Sequence, residues 1–294
     1  MRSTLLHLRF PFSWFLLPVF LFSLSFAPNI HPHRLLWVFV ILHLLVYPAS
    51  NGYNSYFDRD EQSIGLLKNP PRVNLSLYFV SLLLDALALI LAFIHLNTTF
   101  MLMVLLYGLA SKAYSHPQIR LKKYPVTGWI ITGFFQGFFV FLACYVGLND
   151  FSIEQVLRPQ VLTPALLCSL MLWGNYPLTQ VYQHDEDAKR GDRTLSLRLG
   201  IRNTFSFSAW MFMLAAAGFI NLFWFVFDRN YIGEFLLAMA PVALFFSFWF
   251  YRVKQHERYA RYDYAMWMNI ISATSLNVFF VYLFLDSTHV LDAL

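Results

Sequence analysis

The chain has 294 residues and a formal net charge of +5; it is 58% apolar and only 13% charged, with a mean hydropathy of +0.53. A soluble domain carries about 25% charged residues, so this composition excludes one. The basic residues follow the edges of apolar runs, which assigns them to lipid head groups and topology and excludes a nucleic-acid surface.

Runs able to cross about 30 Å of hydrocarbon as a helix recur nine times, at 10–26, 35–56, 75–94, 102–115, 127–147, 163–182, 204–227, 232–251 and 264–285. None alternates polar and apolar residues as a barrel strand does. The expected fold is therefore all-α, a nine-helix bundle forming a single membrane domain over 1–294. In the first run, Arg2 and Arg9 precede an apolar core followed by Ser23-Leu24-Ser25, the outline of a signal peptide, but its length argues for a retained helix. Asp85, midway through the third span, needs a partner, and the amides Gln136, Asn269 and Asn277 are the candidates. Gly133 and Gly137 in the fifth span are spaced for a close helix contact. Cys144 and Cys168 fall inside spans and read as small core residues, with no disulfide or zinc site.

All but three of the 21 Lys and Arg lie on the N-terminal side or at every second connection, the exceptions being Arg34, Arg158 and Arg229. The positive-inside rule then puts the N-terminus and the connections after spans two, four, six and eight in the cytoplasm, and residues 286–294 outside. In a bacterium the membrane would be the cytoplasmic one.

The second span ends in Asn51, Asn54 and Asp58, spaced i, i+3, i+7 and hence on one helix face. The sixth ends in Gln180, Gln183 and Asp187, with the same spacing and the same amide, amide, carboxylate order. Polar side chains at a membrane helix end are costly unless they face a cavity or each other, so the matched pair marks a site. Oxygen donors on facing helices suit Mg²⁺, which joins one or two carboxylates to substrate phosphates. Cations follow each patch: Lys68 and Arg72 after the first, Lys189, Arg190 and Arg193 after the second, with Arg120, Lys122 and Lys123 between. They are placed to neutralise a leaving diphosphate.

The residues resemble the UbiA superfamily of intramembrane prenyltransferases over nearly the whole chain. Asn54-Ser55-Tyr56-Phe57-Asp58-Arg59 resembles its first aspartate-rich motif, and Lys68-Asn69-Pro70 the loop behind it. Tyr114-Ser115 with Arg120-Leu121-Lys122 resembles the signature after helix four. The stretch from Asp187 through Lys189, Arg190, Asp192, Arg193 and Thr194 to Gly200 resembles the second motif. Two departures stand out. Ser55 and Gln62 occupy positions where the family's first motif usually has Asp, and Gln183 replaces the usual partner of Asp187. Asp60, Glu61, Asp185 and Glu186 are near enough in sequence to compensate, although Asp185 and Glu186 point away from the helix face of Gln183 and Asp187.

The resemblance implies a central cavity open to the cytoplasmic side. Asp58 and Asp187, helped by Asn54 and Gln183, would hold Mg²⁺ and with it a prenyl diphosphate. Asn51, Lys68, Arg72, Ser115, Arg120, Lys122, Gln180, Lys189 and Arg193 would contact the substrate, and Tyr114 the diphosphate or an allylic cation. A prenyl group would pass to a small lipophilic, aromatic acceptor. The missing aspartates leave room for a terpene cyclase on the same scaffold, and buried Asp85 with its amides for a transporter.

Overall fold

The computed structural model describes residues 2–28 and 30–290. In hydrocarbon only hydrogen bonds made within a segment satisfy the backbone, so the apolar runs become helices. The chain opens with α1 (Arg2–Leu8), a 3₁₀ turn over Phe10–Phe15, and α2 (Leu17–Leu24). There follow α3 (Pro32–Asp58), α4 (Leu75–His95), α5 (Thr98–Ser115), α6 (Pro125–Asn149) and α7 (Pro159–Thr179). Two short helices, α8 (His184–Arg190) and α9 (Leu195–Leu199), precede α10 (Ile201–Val226), α11 (Asn230–Gln255) and α12 (Tyr262–Ser287).

Seven of these, α3, α4, α6, α7, α10, α11 and α12, are long and apolar enough to cross a membrane, and a bent pair at the N-terminus raises the number to eight. The sequence led to nine. The helix that makes the difference is α5, whose 18 residues include Thr98, Thr99, Ser111, Lys112 and Ser115. Trp210, Phe225, Leu237 and Leu244 are between 71% and 76% exposed, while Ser81, Ser169, Thr204, Ser208 and Asn277 are buried. That inverts the pattern of a soluble protein and identifies a multi-pass integral membrane protein. Of the tail expected outside, residues 291–294 fall outside the described residues, as do Met1 and Asn29.

The first span is not one straight helix. Arg2–Phe15 and Leu17–Leu24 meet at 41°, with Pro18 in the first turn of the second piece; within the first piece Arg9 adopts a left-handed conformation (φ 47°) just ahead of Pro11. Proline lacks the N–H that would continue the helix behind it. Nor does Asp85 pair with an amide: its partner is Lys112 on α5. A cation neutralises a buried carboxylate, where an amide only solvates it. Two of the amides are engaged elsewhere, Asn269 accepting from Asn175 at 2.9 Å and Asn277 donating to the Trp14 carbonyl at 3.2 Å, and Gln136 lines a cavity. Cys144 and Cys168 are buried and free.

The stacking of Phe22 on Phe280, with centroids 4.5 Å apart, and its contacts with Phe141 and Phe219 tie α2, α6, α10 and α12 together. Where α6 crosses α7, residues Phe134–Phe139 widen into a π turn, which disturbs the regular ladder of backbone hydrogen bonds. The hydroxyl of Ser169 on α7 repairs it, donating to the Gly133 carbonyl at 2.8 Å and accepting from the Phe138 N–H at 2.9 Å. This is possible only because Gly137 lets the backbones touch: a Cβ there would lie 2.6 Å from the Ser169 nitrogen. Gly137→Ala is expected to destabilise the fold by about 1–3 kcal/mol through overpacking. Gly233→Ala, with nothing within 4 Å of its Cβ, should leave the thermal midpoint in detergent unchanged or slightly raised.

Candidate functional site

The C-terminal turns of α3 carry the first set of polar residues. Asn51, Asn54 and Asp58 share one helix face and all line a cavity of about 250 Å³. Arg59, left-handed at φ 51°, ends the helix immediately after Asp58. Across from this face, α5 supplies partners one turn apart: Ser111 bonds Ser50 at 2.6 Å and Ser115 accepts from Asn54 Nδ2 at 2.8 Å. Asn51 Nδ2 reaches the Leu8 carbonyl at 3.4 Å, tying α1 to the site.

The loop after α5 turns back through Arg120, also left-handed (φ 44°), into a 3₁₀ turn over Leu121–Lys123. That turn directs Lys122 onto both oxygens of Asp58. Arg120 forks onto Asp192 with two bonds of 2.7 Å and lies 3.5 Å from Asp58. Arg120 stands behind the cavity wall, whereas Lys122 lines it.

The second set is built differently from the sequence expectation. Gln180, Gln183 and Asp187 do not share a helix face. Pro177 and a 3₁₀ turn over Tyr176–Thr179 end α7, and Gln183 is the residue that opens α8. Proline at position 177 has no N–H to return to α7, so the chain breaks and restarts. All three side chains nevertheless line the same cavity as Asp58. Gly191, at φ 76°, then allows a reversal that glycine alone adopts readily, and Asp192 is turned back so that its N–H meets the Asp187 carbonyl at 2.9 Å.

The result is a ring of four carboxylates, Asp58, Asp60, Asp187 and Asp192, interlocked with cations. Arg190 pairs with Asp60, with Asp187 at 2.9 Å and with Asp192 at 3.5 Å. Thr194 donates to the other oxygen of Asp187 at 3.3 Å. Burial lifts the Asp187 carboxyl to about 6 despite Arg190 beside it, and burial together with Asp58 lifts Asp60. Burial would lower the Arg190 guanidinium, but Asp60, Asp58 and Asp187 outweigh it and hold its pKa above the ordinary value. Tyr114 and Tyr176 are joined through their hydroxyls, and Lys122 Nζ lies 5.9 Å from the Tyr114 ring centre.

Tyr114, Ser115 and Lys122 thus join the two polar sets at the cavity. Lys68, Arg72, Lys189 and Arg193 do not: all four are exposed and outside its lining. Lys68 pairs with Asp263 at 3.0 Å, Arg72 accepts Ser3 through its carbonyl, and the Arg193 N–H meets the Lys123 carbonyl. Lys68, Arg72 and Arg193 lie on connecting segments outside the cavity lining, and Lys189 on the exposed side of α8. Of the compensating acids, Asp60 lines the cavity; Asp185 is exposed, and Glu186 accepts the Glu61 N–H at 2.8 Å instead. Asp192, Tyr176, Tyr182 and Arg9 line the cavity without having been singled out from the sequence. Asp192 stands within the second motif and was the one most open to recognition.

Arg190 neutralises three acids at once, so Arg190→Met leaves buried charge unpaired. A loss of about 3 kcal/mol is expected, read as a lower unfolding midpoint in detergent. Exposed Lys189→Met should fall within about 0.5 kcal/mol of the unsubstituted protein.

The fold is similar to solved structures across nearly its whole length. A UbiA homologue from Archaeoglobus fulgidus bound to DMAPP and Mg²⁺ superposes with a TM-score of 0.67 at 15% identity, covering 98% of this chain and 99% of that one. The apo UbiA homologue from Aeropyrum pernix gives 0.68 at 19% identity, covering 92% and 98%. Digeranylgeranylglyceryl phosphate synthase gives 0.61 at 19% identity, covering 96% and 98%. No curated protein matches the sequence. Residues 15–271 match the family model described as the UbiA prenyltransferase family, and with the helix ends converging as they do, the chain belongs to that family.

Proposed function

We propose that the protein transfers a prenyl group from a prenyl diphosphate to a small lipophilic, aromatic acceptor within the membrane, with Mg²⁺ as cofactor. The observation that carries this reading is the adjacency of two cavities of opposite character. The charged cavity shares Phe15, Leu172, Asn175 and Asn269 with a second, of about 420 Å³, between α7, α10, α11 and α12. Its wall is apolar, with Phe212, Phe219, Met239 and Leu276. A ligand with an anionic head and an isoprenoid tail matches both at once. The Archaeoglobus homologue, bound to DMAPP and Mg²⁺ in one structure and to GPP and Mg²⁺ in another, supports the same ligand class.

The donor set fits Mg²⁺. Asp58 and Asp187 offer carboxylate oxygens, and Asn54 and Gln183 amide oxygens, in the lining of one cavity. Among the described residues no three His, Cys, Asp or Glu stand where they could hold a metal ion. Mg²⁺ takes one or two carboxylates and completes its shell from phosphates and water. When bound, Mg²⁺ would draw charge from the departing diphosphate.

The chain's own residues do the rest. Lys122 and Arg190, with Arg120 behind them, neutralise the diphosphate as the C–O bond ionises. Tyr107, Tyr114 and Phe135 line the cavity, and aromatic rings there stabilise an allylic cation. Apolar walls keep water from capturing it before the acceptor does. Charge asymmetry orients the polar cavity and the N-terminus to the cytoplasm and the C-terminus outside.

Asp58→Asn and Asp187→Asn are each expected to cut prenyl transfer by about 100-fold, assayed by mass of the prenylated product. Near-normal turnover in both, as a transporter would allow, sinks the proposal. A cyclic hydrocarbon or alcohol formed without added acceptor would replace transfer by cyclisation. Because Asp187 takes up its proton at about 6, and a protonated carboxyl is a poor metal donor, Mg²⁺ should stabilise the protein at pH 7.5 and lose that effect by about pH 5. A thermal-shift titration at the two pH values decides this.

A further inference from the structure

Every acid that lines the charged cavity is held by a cation: Asp58 by Lys122, Asp60 and Asp187 by Arg190, and Asp192 by Arg120 and Arg190. One lining cation remains over. Arg9 lines the same cavity, yet among the described residues no carboxylate lies within ion-pairing distance of it, and its Nε is enclosed without a hydrogen-bond partner. Asp60 and Asp58 are its acidic neighbours, too far to bond. Arg9 is half-buried and its guanidinium carbon lies 5.3 Å from the Phe12 ring centre. An enclosed guanidinium nitrogen with no carboxylate counter-ion is still costly, and Arg9 also occupies a left-handed backbone conformation (φ 47°, ψ 48°) that non-glycine residues avoid. Two costs at one cavity-lining residue point to a function for it.

The placement is enforced from several sides. The Asn51 amide holds the Leu8 carbonyl, immediately before Arg9. His7 Nε2 bonds the Pro71 carbonyl at 2.7 Å, Ser3 donates to the Arg72 carbonyl at 2.7 Å, and Thr4 bonds Ser76 at 2.8 Å. Thus α1 is stapled to α3 and to the segment after the first motif. On the other side a Cβ at Gly65 would sit 2.8 Å from Phe12 and 3.5 Å from Arg9 Nη1, so the loop closes directly on the guanidinium.

We propose that Arg9 is a diphosphate-binding residue, delivered to the cavity by the N-terminal helix as the one cation not consumed by the acidic ring. The assignment rests on the proposed prenyl-diphosphate reading and deepens it. An anion arriving at the ring gains a full, forked ion pair from Arg9. It gains less from Lys122 and Arg190, which must loosen their carboxylates first.

The test is titration of Mg²⁺-pyrophosphate and of geranyl diphosphate into the purified full-length protein in nanodiscs, followed by calorimetry. Arg9→Gln is expected to weaken pyrophosphate binding at least tenfold and to raise KM for the prenyl diphosphate more than it lowers kcat. Arg9→Lys, which keeps the charge and loses the fork, should fall between, and Arg2→Gln, at an exposed position outside the cavity, should bind normally. Binding by Arg9→Gln within twofold of the unsubstituted protein overturns the proposal, as does equal weakening in Arg9→Lys and Arg9→Gln, or a loss confined to the acceptor. If the unsubstituted, folded protein binds neither titrant, the underlying prenyl-diphosphate reading fails with it.

Discussion

Four carboxylates buried at one end of an apolar bundle are stable only if cations are brought to them, and the geometry of the site follows from that requirement. Breaking one such pair costs about 3–5 kcal/mol, so the segments that carry the cations are constrained as tightly as those that carry the acids. Arg120 and Lys122 reach Asp58 and Asp192 only because the loop after α5 folds back through a left-handed residue. Arg190 reaches Asp60 across 130 positions of sequence. The end of α3, helix α8 and the segments that follow α3, α5 and α8 are thereby locked into one electrostatic unit.

The same network fits the proposed chemistry. A site that stabilises a departing diphosphate needs positive charge arranged in advance, so that no reorganisation is required as the bond ionises. Here the cations are held in place by the acids that would serve as metal donors. The apolar cavity beside it supplies the opposite environment, and the hydrogen-bonded amides of Asn175 and Asn269 stand on the wall that the two share. Charge is concentrated on one side of that wall and excluded from the other.

Departures from regular helix occur where the bundle needs them. Ser169 repairs the π turn of α6, and the break after Pro177 frees the chain to place Gln183 and Asp187 on a separate short helix. A single continuous helix would have carried these side chains along its own axis. The break lets them approach the end of α3 instead.

The sequence by itself determined the membrane character, the helical class and the two polar regions, because each depends on local composition: long apolar runs, and amides and acids where those runs end. Asn51, Asn54 and Asp58 were legible as a group since a continuous helix makes spacing equal to geometry. Gln180, Gln183 and Asp187 were legible as members of the site but not in their arrangement, since the helix breaks between them. Only the tertiary structure decided which charges meet. It paired Asp85 with Lys112, left Lys68, Arg72, Lys189 and Arg193 outside, and brought in Asp192 and Arg9. Ion pairing depends on distances between segments far apart in the chain, and local spacing carries no record of those.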